Sequence, residues 1–293
     1  MVLAAGFGTR LRPLTDEIPK PLLPIGAKPL LVSTLEQLGA AGAVSLSINV
    51  HHLGSKIDSV LGGLTANVQV FSEEQIRGTA GGIRGALDSF RAPDVIVVNG
   101  DMYGPLPLER LLADKSDAEI VLLVRARLRG EGTVGLDAEG RVIRLRGEVF
   151  GPEQMGGDYL GVVRLRRSIV ATFPDEGCLV GDVLLPALRR GEKLASAALV
   201  DQGLADIGDL AGYFEANQSW LEEKGDAFYV APSVSLEGEV RLEQSILGEG
   251  VEVRGSGELR RVIALPGAKV VAPLTDAIVT PAGRVVPRPE RTR

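Results

Sequence analysis

Residues 1–26, MVLAAGFGTRLRPLTDEIPKPLLPIG, decide the fold. An apolar run over 1–5 meets Gly6 and Gly8, and the chain then stays irregular while carrying Arg10, Arg12 and Lys20 among prolines. A chain that only turned from strand to helix would use a short loop and a cap. A glycine-rich turn behind a first strand lets backbone N–H groups converge on an anion, which makes a phosphate cradle. Two familiar versions are excluded. GFGTRL lacks the third glycine of a dinucleotide fingerprint, and the second strand ends SINVHH without the required acid. No Gly-Lys-Ser/Thr follows, so it is not a Walker loop. MVLAA itself either makes a very short first strand or starts a few residues after the natural beginning.

Moving outward, the apolar runs 1–5, 44–50, 66–71, 94–98 and 119–124 are short, rich in Val, Ile and Leu, and bounded by turn residues. They read as buried strands. Between them, Leu31, Leu35 and Leu38 predict a helix over 29–41. Ile83, Ala86, Leu87 and Phe90 predict one over 79–90, and Leu108, Leu111 and Leu112 one over 105–114. Such alternation predicts an α/β domain, a mostly parallel sheet with helices on both faces. Residues 126–177 are Gly- and Arg-rich with short alternating runs, which suit antiparallel strands at a sheet edge; helical patterns return at 182–190 and 209–223. Beyond 225, apolar residues recur every six: Val234, Val240 and Ile246; Leu236 and Leu242; Val253 and Leu259; Val279 and Val285. A period of six suits stacked β-helix coils with one inward side chain per flat side, the alternative being a β-meander.

Composition narrows the function. The 293 residues are 45% hydrophobic, enough for a sizeable core, and the net charge of −6 argues against a nucleic-acid partner. Cys178 is the only cysteine, so neither an internal disulfide nor a thiolate zinc site is expected. No apolar run is long enough to span a membrane, and 1–5 lacks the basic leader of a signal peptide, so a cytoplasmic protein is expected.

The pattern LAAGFGTRLRPLT, with the Lys-Pro pairs behind it, resembles the signature of the nucleotide-sugar pyrophosphorylases, which join a nucleoside triphosphate to a sugar 1-phosphate. The resemblance continues through EEQIRGTAGGIRGAL, VVNGDM, GDYLGVVRL and ADIGDLAGYFEAN. The six-residue period resembles the C-terminal β-helix of the mannose-1-phosphate guanylyltransferase branch. It implies a Rossmann-like catalytic domain over 1–222 and a short left-handed β-helix-like domain over 226–293, a possible route to homo-oligomers.

The resemblance also implies the site. Leu3, Ala4, Gly6, Gly8, Thr9, Arg10, Glu73, Gly78, Thr79 and Gly100 would bind the nucleotide. Glycine lets the backbone approach phosphates without a Cβ, Arg10 offers a planar fork to the departing oxygens, and Lys20 a point charge to the α-phosphoryl group. Asp101, at the end of a buried strand, and Asp206 would hold Mg²⁺ with phosphate oxygens. The family's usual Thr-Pro after Asp-Ile-Gly is missing here, which leaves Asp209 as a fallback ligand. Arg10, Lys20 and Asp101 are the catalytic candidates. A sugar 1-phosphate has a second pKa of about 6, so it is already an anionic nucleophile and needs no general base. His51 and His52, adjacent behind a strand, read as loop residues.

Glu73, five positions before Gly78, is the base-reading candidate, with Glu74 as the alternative. A carboxylate matches the two neighbouring donors of guanine, which favours GTP. Gly135, Arg146, Asp158 and Tyr159 stand where the family contacts the sugar phosphate. The usual Glu-Lys-Pro after GRV is replaced, leaving Arg144 or Arg146 to take the lysine's role. Asp182 suits either an acidic family position or a helix cap. The expected reaction is transfer to mannose 1-phosphate; a uridylyltransferase and a silent regulatory binding homologue are the other readings.

Overall fold

The computed structural model describes residues 1–64, 66–201 and 204–288. The chain divides into two compact units, Met1–Gly6 with Thr34–Ala205, and Phe7–Ser33 with Asp206–Arg293. The boundary that chain order suggests, between 222 and 226, therefore falls inside the second unit. The signature loop belongs with the C-terminal residues.

The first unit is built on a mixed sheet of ten strands among the described residues. The parallel part contains β1 (Val2–Leu3), β2 (Leu46–Val50), β3 (Val68–Ser72) and β4 (Asp94–Asn99), with β1 between β2 and β4. β5 (Ile120–Arg127) is buried over residues 120–124, the continuous apolar pattern of a strand covered on both faces. The Gly- and Arg-rich middle folds as β6 (Val134–Leu136), β7 (Val142–Leu145) and β8 (Met155–Arg166), all antiparallel to their partners. The long β8 is not an edge strand: it pairs with β4 on one side and with β5 and β6 on the other. The edge strand on the β5 side is β9 (Ala195–Val200), parallel to β5, which the small residues of ASAALV conceal in the sequence. Helices Leu30–Ala40, Gly78–Gly85 and Leu108–Leu112 occupy three of the expected segments. Gly54–Leu61 is a further helix, which the Gly- and Ser-containing sequence did not announce.

The second unit combines residues 7–33, the helix Leu210–Lys224 and a stack of short parallel strands. Tyr229 pairs with Ile246, Ile246 with Ile263 and Ile263 with Ile278, so successive coils return to the same side, as in a β-helix-like domain. Val253, Leu259 and Val279 point into its core. Leu236 and Val285 belong to the six-residue series yet are about half exposed, at 46% and 52%. The period places strands better than it places side chains, because the bends between the flat sides do not all have the same length.

No helix among the described residues is long and apolar enough to cross a membrane.

Candidate active site

In the second unit, the signature loop is wound around Gly8. Its φ of +63° is left-handed, and its carbonyl accepts from the Leu11 amide at 2.9 Å and the Thr15 hydroxyl at 2.8 Å. A Cβ on Gly8 would lie 2.8 Å from Thr15 Cγ2 and 3.2 Å from Lys20 Cβ, so only glycine lets the loop close this tightly. That closure brings Lys20 beside the turn. Arg10 stands exposed in the short helix Thr9–Leu11. A Cβ built on Gly208 would be 3.2 Å from Arg10 Nη1 and 3.4 Å from Asp206 Oδ2, so both charged heads lie close to that glycine. Asp209 caps the helix Leu210–Lys224 by accepting from Gly212 N at 2.8 Å. That role accounts for its carboxylate without a metal.

The same helix carries the far end of the loop. Tyr213 donates to Pro24 O at 2.7 Å, Gly26 N donates to Asn217 Oδ1 at 2.8 Å, and Asn217 in turn donates to Tyr213 O at 3.0 Å. Burial pushes the Tyr213 phenol up, so it remains a donor.

In the first unit, the carboxyl ends of β1 to β4 are tied together by backbone and side-chain hydrogen bonds. Gly100 N donates to Leu3 O at 2.8 Å, and Ala4 N to Asn49 Oδ1 at 2.9 Å. Asn49 Nδ2 donates to Glu73 Oε1 at 2.7 Å, and Arg77 N to Glu73 Oε2 at 3.0 Å. His51 Nδ1 lies 2.8 Å from Glu73 O. Glu73 is only 7% exposed, and both of its oxygens already hold protein donors. Its carboxylate thus fixes Asn49 and, through it, the amide of Ala4. Glu74 next to it is exposed. Gly82 completes this packing: a Cβ there would be 2.5 Å from Asn49 Nδ2.

The N-terminus of the Gly78–Gly85 helix is also engaged. Gly177 O accepts from Ala80 N at 2.9 Å, and Thr79 Oγ1 accepts from Leu179 N at 2.7 Å. Asp182 Oδ2 accepts from the Cys178 amide at 2.6 Å, but from inside the first turn of the helix Leu179–Leu184, whose N-cap is Cys178 and not Asp182.

Of the sugar-side candidates, Arg146 and Tyr159 line a cavity of about 460 Å³ in the first unit, together with Thr133 and Cys178 among others, whereas Gly135 and Asp158 are not part of its lining. Arg144 is not free to bind a phosphate there. Its guanidinium makes a two-pronged pair with Glu153, at 2.8 and 3.0 Å, and donates to the carbonyls of Glu131, Gly132 and Val134. Arg144 holds the Glu153 carboxyl below the usual carboxylate range. Gly135 packs against this pair, since a Cβ there would come within 2.6 Å of Glu153 Cδ. Asp158 pairs with Arg127 at 2.8 Å. The Tyr159 amide donates to Thr133 Oγ1 at 2.9 Å, and burial pushes its phenol up.

Arg146 differs from these. With Gly147 it forms the two-residue turn between β7 and Glu148–Val149, at φ +48° and +82°. Its guanidinium faces Cys178 Sγ at 3.4 Å and lies over Gly181.

A profile of the Nucleotidyl transferase family matches residues 1–146. The D-glycero-alpha-D-manno-heptose 1-phosphate guanylyltransferase of Campylobacter jejuni is 30% identical over 167 residues, covering 55% of this chain and 74% of that protein. The chain belongs to the nucleotidyl transferase family. Within the family, the N-acetylmuramate alpha-1-phosphate uridylyltransferase of Neisseria meningitidis serogroup B is 45% identical over 106 residues, 35% of this chain. The match spans under half of that relative's length, 46%. Among solved structures, HddC from Yersinia pseudotuberculosis complexed with GMP-PN superposes with a TM-score of 0.62 at 24% identity. The superposition covers 75% of this chain and 97% of that one. That likeness concerns the fold.

Among the described residues, no three His, Cys, Asp or Glu side chains gather into a ready-made metal cage. Mg²⁺ characteristically takes one or two carboxylates and completes its shell from substrate phosphates, and Asp101 in the first unit and Asp206 in the second each offer a carboxylate of that type.

Sequence reasoning placed His51 in a loop and Thr79 among the nucleotide-binding candidates, but it missed Asn49 and the Thr79–Leu179 contact. Asn49 and Leu179 carry no motif of their own, and each acts through a partner distant in the chain.

Proposed function

We propose that the protein transfers a nucleotidyl group from a nucleoside triphosphate to a sugar 1-phosphate, releasing pyrophosphate. GTP is our first donor and mannose 1-phosphate, or another manno-configured sugar 1-phosphate, our first acceptor. The observation that carries this reading is the tight closure of the loop at Gly8, which sets Lys20 beside a turn whose short helix bears Arg10.

In the proposed reaction, an oxygen of the sugar phosphate attacks the α-phosphorus as the α–β bridging oxygen leaves with pyrophosphate. Arg10 receives charge on the departing oxygens through its planar fork. Lys20 neutralises the α-phosphoryl group as charge spreads over it. Gly6 and Gly8 admit the phosphate chain to the backbone. Mg²⁺, held by Asp101 and Asp206, would supply charge neutralisation to the triphosphate when bound. Arg146 is our candidate for the sugar phosphate, because Arg144 is locked in its pair with Glu153. The acceptor is already an anion near neutral pH, so orientation and charge compensation account for the rate without a general base.

A second reading, uridylyl transfer, is favoured by one observation. Both oxygens of Glu73 accept protein hydrogen bonds, which leaves less of this carboxylate for the two donors of guanine. Pyrophosphate release with each of four nucleoside triphosphates and a panel of sugar 1-phosphates tests both. Turnover with GTP and mannose 1-phosphate supports the first reading, a clear UTP preference supports the second, and no turnover with any pair refutes nucleotidyl transfer.

A further inference from the structure

The signature loop is fastened within its own unit to a turn more than 260 residues away in the chain. Helix Leu14–Glu17, inside the loop, ends on Glu17, whose side chain is only 14% exposed. Glu17 Oε1 accepts from the Thr280 hydroxyl at 2.8 Å, and Oε2 accepts from the Ala282 amide at 2.8 Å. Arg284 adds a contact to Asp16 Oδ2 at 3.1 Å, and Asp16 also pairs with Arg12 at 3.2 Å.

The receiving turn is itself well defined. Thr280 N donates to Arg284 O at 3.0 Å and Gly283 N to Thr280 O at 2.8 Å, closing the hairpin between Leu274–Val279 and Val285–Pro287. Thr280 is completely buried. A carboxylate at a helix C-terminus opposes the helix dipole, and this helix has only four residues, so Glu17 does not stand there to stabilise its own helix. Its satisfied partners lie in the turn. The helix it anchors carries Thr15, whose hydroxyl holds the Gly8 carbonyl.

We infer that the Thr280–Arg284 turn is a brace that fixes the phosphate loop from behind, with Glu17 and Thr280 as positioning residues. The inference rests on the reading of residues 6–20 as the phosphate loop. It gives the β-helix-like region a part in the reaction: without the brace, the Leu14–Glu17 helix loses the carboxylate contacts that hold Thr15 against Gly8.

The test uses the full chain with Mg²⁺, GTP or UTP, and mannose 1-phosphate. Thr280→Val removes the hydroxyl while keeping the side-chain shape; Thr280→Ser keeps the hydroxyl. Losing a hydrogen bond to a charged acceptor corresponds to about tenfold in an equilibrium. Thr280→Val and Glu17→Gln are therefore expected to raise the triphosphate KM about tenfold, with the sugar 1-phosphate KM unchanged and Thr280→Ser close to wild type. Amide exchange over residues 7–22 is expected to quicken in Thr280→Val, with or without nucleotide. An unchanged triphosphate KM together with unchanged exchange over 7–22 would overturn the brace. So would equal losses for both substrates, or no rescue by serine. If wild-type protein takes up no triphosphate, the phosphate-loop reading fails instead, and the exchange measurement alone decides the brace.

Discussion

Replacing Arg146 by asparagine should make the protein more stable and a poorer enzyme. Arg146 and Gly147 are both left-handed at the hairpin turn. Asparagine-glycine is the preferred pair for such a turn, whereas a long side chain at positive φ costs about 1 kcal/mol. Among the described residues, the only polar contact that the wild-type side chain offers in return is the weak one to Cys178 Sγ at 3.4 Å. A gain of about 1 kcal/mol would raise the melting temperature of a unit this size by about 2–4 °C. If the guanidinium binds the sugar phosphate, its loss removes a charge-assisted contact of about 1.5–3 kcal/mol, or roughly ten- to hundredfold in the sugar 1-phosphate KM. The triphosphate KM should not move. Calorimetry and pyrophosphate release with one substrate varied at a time measure both halves. A stabilised variant with an unchanged sugar 1-phosphate KM would refute the role given to Arg146, and a destabilised variant would refute the strain argument.

Arg144→Ala should cost about 3–5 kcal/mol, because it leaves Glu153 buried without its partner, and urea unfolding would register it. The depressed Glu153 carboxyl also predicts a direction with pH. Its stabilisation is complete above the unfolded carboxyl value of about 4.3 and is lost as pH falls through the lower folded value, so Glu153→Gln should flatten the acid limb of the stability curve. Asp101→Asn should abolish turnover at ordinary Mg²⁺ while leaving the melting temperature nearly unchanged; near-normal turnover would remove Asp101 from the metal site. Gly26→Ala would place a Cβ 2.2 Å from the Trp220 ring at a left-handed position. It should destabilise the second unit by about 1–3 kcal/mol and shift the emission of Trp220, the only tryptophan.

Much of this was readable in the chain. The alternation of Val/Ile/Leu runs with helical spacing gave the α/β class because each periodicity reports a local backbone geometry. The six-residue period announced the stacked coils for the same reason. The loop was legible because Gly8, Arg10 and Lys20 lie close together in sequence. Less visible were β9, whose alanines pack as well as larger residues at a sheet edge, and the interior place of β8, which depends on its partners.

The sequence alone determined which residues are chemically able to handle phosphates: glycines without a Cβ, a planar guanidinium, an ammonium and strand-end carboxylates. Only the tertiary structure decided which of the similar side chains are free to do so. Arg144 and Arg146 are two residues apart, yet one lies buried with Glu153 and the other is exposed at a turn. Glu73 is held by Asn49 and Arg77, and Glu17 by a turn near the other end of the chain. The physical reason is that a side chain's charge is written in its residue type, whereas its burial and its partners come from segments that meet only when the chain has folded.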